Sequence, residues 1–156
     1  MSKEYRVPES VRVVTRTTPV GDVHKVVLHD GVTEIAEDSF RDWTGLREVA
    51  FGASSSLKRV GAHAFANTGL ESFVAPRSLR TIRTGAFRDC KSLKEVRLNE
   101  GLESLGEGAF QDSGLEMVYI PATLRVLPRQ TFSNCWCLRR VEVAEGCRLG
   151  LQYCFP

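Results

Sequence analysis

The sequence predicts an α/β repeat solenoid, an arc of stacked units whose strands form one parallel sheet of about six, joined by short helical turns. Three observations predict it. Phenylalanines recur at 40, 65, 87, 110, 132 and 155, with gaps of 25, 22, 23, 22 and 23 residues, a period of about 23. A leucine column keeps the same phase: Val23, Leu46, Leu70, Leu93, Leu115, Leu138. Behind it run two more apolar columns, Val26, Val49, Phe73, Val96, Val118, Val141 and Leu28, Phe51, Ala75, Leu98, Ile120, Val143.

The elements follow in chain order. "VPESVRVV" (7–14) matches "IPATLRVL" (120–127) position by position, but the "TRTTPVGD" after it has no Phe, so 7–22 reads as a degenerate N-terminal half-repeat. Repeats fill 23–143. Each carries apolar-x-x-apolar-x-apolar, and its last three positions alternate as a strand with one buried face should. A second apolar pair precedes each Phe: Val11/Val14, Val32/Ile35, Leu57/Val60, Leu79/Ile82, Leu102/Leu105, Leu124/Leu127. The Phe then opens a stretch such as "AFRDC" or "AFQDS", too short for a free helix and expected to form one helical turn with its Phe inward. The residue before the Phe is small or compact: Ser39, Ala64, Ala86, Ala109, Thr131, Cys154. Residues 144–156 reach the Phe column without another strand and read as a partial C-terminal repeat. The expectation is a single domain over 1–156 with partial caps, the alternative being a piece of a longer array. A unit of about 23 residues cannot bury its own apolar face, so neighbours share one core and all strands run parallel.

Bulk properties remove several classes of function. The net charge of +2, from 21 Lys+Arg and 19 Asp+Glu, is too small to drive nucleic-acid binding by itself, and no nucleic-acid partner is expected. No apolar run approaches the ~20 residues of a membrane helix. "MSKEYRVPES" lacks an apolar signal-peptide core, and the cysteines at 90, 135, 137, 147 and 154 are odd in number. Together these favour reduced thiols and a cytoplasmic setting.

The chemical candidates are few. Cys90 and Cys135 each lie three residues after a column Phe, where Trp43, Thr68 and Ser113 also stand, so the seat reads as packing. Cys147 takes the place of Leu102 and Leu124, and only Cys137 lacks a column reason. "CWC" (135–137) with Cys147 and Cys154 suggests zinc, but without the paired C-x-x-C spacing of structural sites. His24, on an outward strand position, and His29 beside Asp30 suggest a site, yet isolated histidines at repeat edges are usually solvated. No Ser-His-Asp order, phosphate-binding glycine loop or H-E-x-x-H occurs. Catalytic residues, metal and cofactor are therefore all expected to be none, and the chain is not expected to be an enzyme. Gly61, Gly85, Gly106 and Gly108 recur beside turns that need permissive backbone.

The outward strand positions are the informative ones. The first column reads His24, Arg47, Glu71, Lys94, Glu116, Arg139, alternating in sign from Arg47 onward, as a ladder of lateral ion pairs would. The second reads Lys25, Glu48, Ser72, Glu95, Met117, Arg140, and the third Val27, Ala50, Val74, Arg97, Tyr119, Glu142. Tyr, Met and Arg are enriched at interface cores. Lys94, Arg97, Met117, Tyr119, Arg139, Arg140 and Glu142 are thus the candidate partner-binding set. A second ribbon with Lys58, Arg59, Arg80, Arg125 and Glu103 is mildly basic and reads as a solvated face.

"APRSLRTIRTGAFRDCKSLKEVRL" (75–98) and "IPATLRVLPRQTFSNCWCLRRVEV" (120–143) resemble the leucine-rich repeats of the BspA-like (Treponema pallidum type) surface-antigen family. The resemblance covers 23–155 well and 7–22 weakly. It implies a leucine-rich-repeat horseshoe or arc, a non-catalytic binding surface, and in some members adhesion, which allows a cell-surface location. The loop in "FGASSSLKRV" departs from the pattern by one to two extra residues. The expected function is protein–protein interaction through the sheet face with an unidentified protein partner. A structural element that associates with copies of itself or continues a longer array is the alternative.

Overall fold

The computed structural model describes residues 3–16, 22–147 and 150–151. The chain coils through about six turns of a parallel β-solenoid. Longer strands form its broad face: β1 (Lys3–Arg6), β3 (Val23–Leu28), β5 (Glu48–Phe51), β7 (Ser72–Val74), β9 (Glu95–Arg97), β11 (Met117–Ile120) and β13 (Arg140–Val143). Two-residue strands form a narrow ridge: β2 (Val13–Val14), β4 (Glu34–Ile35), β6 (Arg59–Val60), β8 (Thr81–Ile82), β10 (Ser104–Leu105), β12 (Val126–Leu127) and β14 (Gly150–Leu151). The broad face is two sheets rather than the single one expected, ordered β1-β3-β5 and β7-β9-β11-β13. The register matches the sequence columns: Lys25 lies beside Glu48, Met117 beside Glu95 and Arg140, and Tyr119 beside Arg97 and Glu142.

The expected helical turns are not there: among the described residues no helix forms. The cause lies in the destination of alternate N–H groups. Phe40 donates to Ala64 O, Phe65 to Ala86 O, Phe87 to Ala109 O and Phe110 to Thr131 O, each on the next coil. Residues two before and two after each Phe do the same, as Asp38 to Ala62 O and Asp42 to Ala66 O show. A helix continues by bonding successive N–H groups four residues back; here every second one goes to the next coil and those between close three-residue turns, as Arg41 to Asp38 O and Trp43 to Phe40 O do, so no helix propagates. Those flanking residues turn the corner at positive φ: Asp42 (65°), Asn67 (56°), Asp89 (60°), Asp112 (58°) and Asn134 (59°) after the Phe, with Gly85 (58°) and Gly108 (59°) before two of them. Asp, Asn and Gly are the residues that tolerate this region best.

The Phe side chains build the core. Phe40, Phe65, Phe87 and Phe110 are stacked at centroid spacings of 5.3 Å, and Phe110 meets Phe132 at 5.7 Å, with ring planes within 16° throughout. Phe155 and Cys154, expected to continue these columns, lie outside the described residues. The compact seat before each Phe is wholly buried, and Ser39 Oγ donates to the carbonyls of Val14 (2.8 Å) and Ala36 (2.7 Å) there. Gly61 and Gly106 serve close approach rather than backbone freedom. A Cβ on Gly106 would stand 2.2 Å from the Thr84 backbone nitrogen. The apolar columns fail at one place: Val141 and Val143 are 37% and 47% exposed, because β13 is an edge strand of its sheet.

Two substitutions test this packing by urea unfolding. Phe87→Ala should cost about 3–5 kcal/mol, as an unfilled cavity among three ring neighbours, Phe65, Phe73 and Phe110. Gly106→Ala should cost about 1–3 kcal/mol, because the atom it meets is backbone and cannot rotate away.

Candidate protein-binding face

All seven candidate residues lie on the four-stranded part of the broad face or immediately before its strands. Strand alternation fixes them there: Val96, Val118 and Ile120 point into the core, so Arg97, Met117 and Tyr119 point out. Three of the four cations already hold carboxylates. Lys94 Nζ meets Glu116 at 3.4 Å, Arg97 Nε meets Glu95 at 2.6 Å and Arg140 Nη2 meets Glu142 at 2.6 Å. The Glu95 contact raises the Arg97 pKa. Among the described residues, Arg139 has no side-chain partner. Tyr119 is half-buried and its hydroxyl donates to the Glu100 carboxylate, which raises the tyrosine's pKa. Met117 is half-buried between its lateral neighbours Glu95 and Arg140.

The expected ladder along the first outward column forms one rung among the described residues, Lys94–Glu116. The other pairs run elsewhere: along a strand (Glu95–Arg97, Arg140–Glu142) or across the second column (Lys25–Glu48, 2.8 Å). Positions two apart on a strand share a face, and Glu95, Arg97, Arg140 and Glu142 have no oppositely charged lateral neighbour, so they pair along their own strands. Such exposed pairs contribute only ~0–1 kcal/mol each and re-form readily around a partner.

Cys90 and Cys135 are buried, as a packing seat requires, and each thiol also donates to a carbonyl of the preceding coil: Phe65 O and Phe110 O, both at 3.1 Å. Burial pushes the Cys90 thiol up to about 11 and the Cys135 thiol upward too. Cys137 is exposed, and Cys147 is half-buried. His29 is not solvated. Its Nε2 lies 2.9 Å from Val11 O and its Nδ1 accepts from Gly31 N–H at 3.1 Å. Asn99 holds the equivalent seat, bonding Pro76 O (2.9 Å) and Gly101 N–H (2.6 Å). The "HDG" and "NEG" that follow Leu28 and Leu98 were the available signal.

Trp136 escaped sequence reasoning: it is 77% exposed and stands just after the Cys135 seat, where Thr44 and Lys91 stand in other repeats. Val74, 60% exposed, stands at the joint between the two broad-face sheets. Among the described residues, no helix is long and apolar enough to cross a membrane.

The family model for the BspA-type leucine-rich repeat region matches residues 20–155 in six copies. The chain belongs to this family. Its members are repeat proteins, generally non-enzymatic, and the fold typically binds other proteins. The chain is similar to the pneumococcal vaccine antigen PcpA, at 22% identity and TM-score 0.83, spanning 93% of this chain but only 41% of that one. It is also similar to the leucine-rich repeat protein of T. pallidum, TpLRR, at 24% identity and TM-score 0.82, over 99% of this chain and 78% of that one. A leucine rich cell surface protein from Faecalibacterium prausnitzii A2-165 matches at 24% identity and TM-score 0.57, over 78% of this chain and 39% of that one. At these identities the structures show the fold alone. No curated protein sequence matches the chain. The cytoplasmic expectation drawn from the cysteines finds no support here, since a relative of the same fold is a cell-surface protein.

The thiols give a test. A thiol with a raised pKa in the folded state stabilises fully below its unfolded value of 9.0 and loses that contribution as pH rises through about 11. Stability should therefore fall across that window by ~2–3 kcal/mol more in the wild type than in Cys90→Ala. At pH 8 in the native state, mass-mapped alkylation should label Cys137 and spare Cys90 and Cys135.

Proposed function

We propose that this BspA-type repeat domain is a non-catalytic interaction module that presents the four-stranded part of its broad face to a protein partner. One observation carries the reading. Lys94, Arg97, Met117, Tyr119, Arg139, Arg140 and Glu142 occupy neighbouring outward positions on one rigid sheet. Tyr119 and Met117 supply apolar contact at its centre, and the charges around them form a polar rim, the arrangement of a protein interface. Arg139 adds a cation that no described residue neutralises, and the exposed Trp136 sits at the same end. A surface-located adhesive role agrees with the company of the F. prausnitzii protein.

A second reading has its own observation. Val141 and Val143 are exposed on the edge strand β13, where another copy or a continuing array could add a strand.

Tyr119→Ala combined with Arg140→Glu should leave the thermal midpoint within a few degrees of wild type, since neither residue is in the core. The same pair should abolish recovery of partners captured by the wild-type domain from native extract or cell surface. An unchanged set of captured proteins would remove this face. Light scattering that grows with concentration in the purified domain would favour self-association instead.

A further inference from the structure

The joint between the two broad-face sheets is the one break in the periodic face. The segment from Phe51 to Leu57 spans six positions, where Leu98 to Leu102 spans four. The surplus forms a loop braced on Asp30, whose Oδ1 accepts from Ser54 N–H at 3.0 Å and whose carbonyl accepts from Ser56 N–H at 2.9 Å. Beside it, β5 and β7 do not pair. A cleft of about 700 Å³ opens at this joint between Phe51 and Val74. It shares Val74, Ala75 and Arg77 with a second cleft of about 590 Å³ that extends to Tyr119. The two form one trough across the strand ends from β5 to β11. Three strand spacings of ~4.8 Å make it ~14 Å long, the length of about four extended residues.

The trough's chemistry is one-sided. Val74, half-buried Phe51 and the Tyr119 ring are its apolar surface. Of its other charged groups, Arg97 is paired with Glu95, and the Glu100 carboxylate at the far end accepts from the Tyr119 hydroxyl. The exposed guanidinium of Arg77 has no partner among the described residues. A planar guanidinium is matched by a carboxylate in bidentate contact.

We propose that this trough takes an extended peptide segment in which an acidic residue adjoins an aliphatic one, its carboxylate on Arg77 and its aliphatic side chain against Val74 and Phe51. The proposal rests on the broad face being a protein-binding surface and names what its margin recognises. The complementarity is of charge as well as shape, because Arg77 is the cation in the trough left without a carboxylate among the described residues, and Glu100 lies at the trough's other end, beside Tyr119.

The test is a random heptapeptide library panned on the immobilised full chain, followed by fluorescence anisotropy with the best synthetic peptide. The selected peptides should share Asp or Glu next to Leu, Ile or Val. Arg77→Glu and Val74→Asp should each weaken the chosen peptide at least ~10-fold, as should replacing its acid by the amide. Arg139→Glu with Arg140→Glu should leave it unchanged. Both trough residues are exposed, and melting curves matching wild type would establish that the variants are folded. The proposal is overturned by a library that yields no enriched peptide, by winners without an acidic residue, or by binding that survives both trough substitutions. Concentration-dependent sedimentation abolished by Val74→Asp would assign the trough to a second copy and overturn it equally. Tyr119 lines both the trough and the open face, so Arg139→Glu with Arg140→Glu, which alters no trough residue, separates the two. Lost capture of partners with the peptide still bound marks the open face, and lost peptide binding in Arg77→Glu with capture intact marks loss of the trough alone.

Discussion

Each phenylalanine of the core has to lie on the phenylalanine of the next coil, and nearly everything else in the molecule accommodates that stack. At a ring spacing of 5.3 Å, adjacent coils sit close to the ~4.8 Å that parallel strands need. The same rise therefore serves both the ring stack and the hydrogen-bond ladders. The seat before each Phe must be small or hydrogen-bonded, which is why Ser39 and Thr131 bond their own coil's carbonyls there. The positions two away on either side must turn corners at positive φ. No unit satisfies these demands alone, because the partner for each ring and each alternate N–H belongs to the neighbouring coil.

This division of labour leaves the outward strand positions free of structural duty. Arg97, Tyr119 and Arg140 contribute little to the core, and their ion pairs are exposed and weak. A surface of this kind can change its side chains without disturbing the coil beneath it, the physical basis for a repeat fold that binds rather than catalyses. The buried thiols belong to the other side of the division. Cys90 and Cys135 are held as neutral donors to neighbouring carbonyls, an environment opposite to the one that activates a thiolate.

The proposed trough lies where the period slips. The longer loop after Phe51 lies where β5 and β7 do not pair, beside the outward-facing Val74. That irregularity is visible as spacing in the sequence. Its consequence is not, because a surplus residue can bulge outward, split a sheet or shift a register, and only the neighbouring coil decides which.

The sequence by itself determined the period, the parallel coil, the inward columns and the lateral register of the outward ones. These follow from the alternation of side chains along a strand and from a unit too small to bury itself. The packing role of Cys90 was legible too, since Trp, Thr and Ser share its column. Tertiary structure decided the rest. The turns around each Phe are not helical, because their alternate N–H groups bond another coil. His29 is a structural bridge, because its acceptor Val11 O lies one turn away. Of the lateral pairs suggested by the first outward column, Lys94–Glu116 is the one that forms among the described residues. Each of these outcomes depends on a competition between neighbours close in space, and a one-dimensional pattern names the competitors without fixing which pair forms.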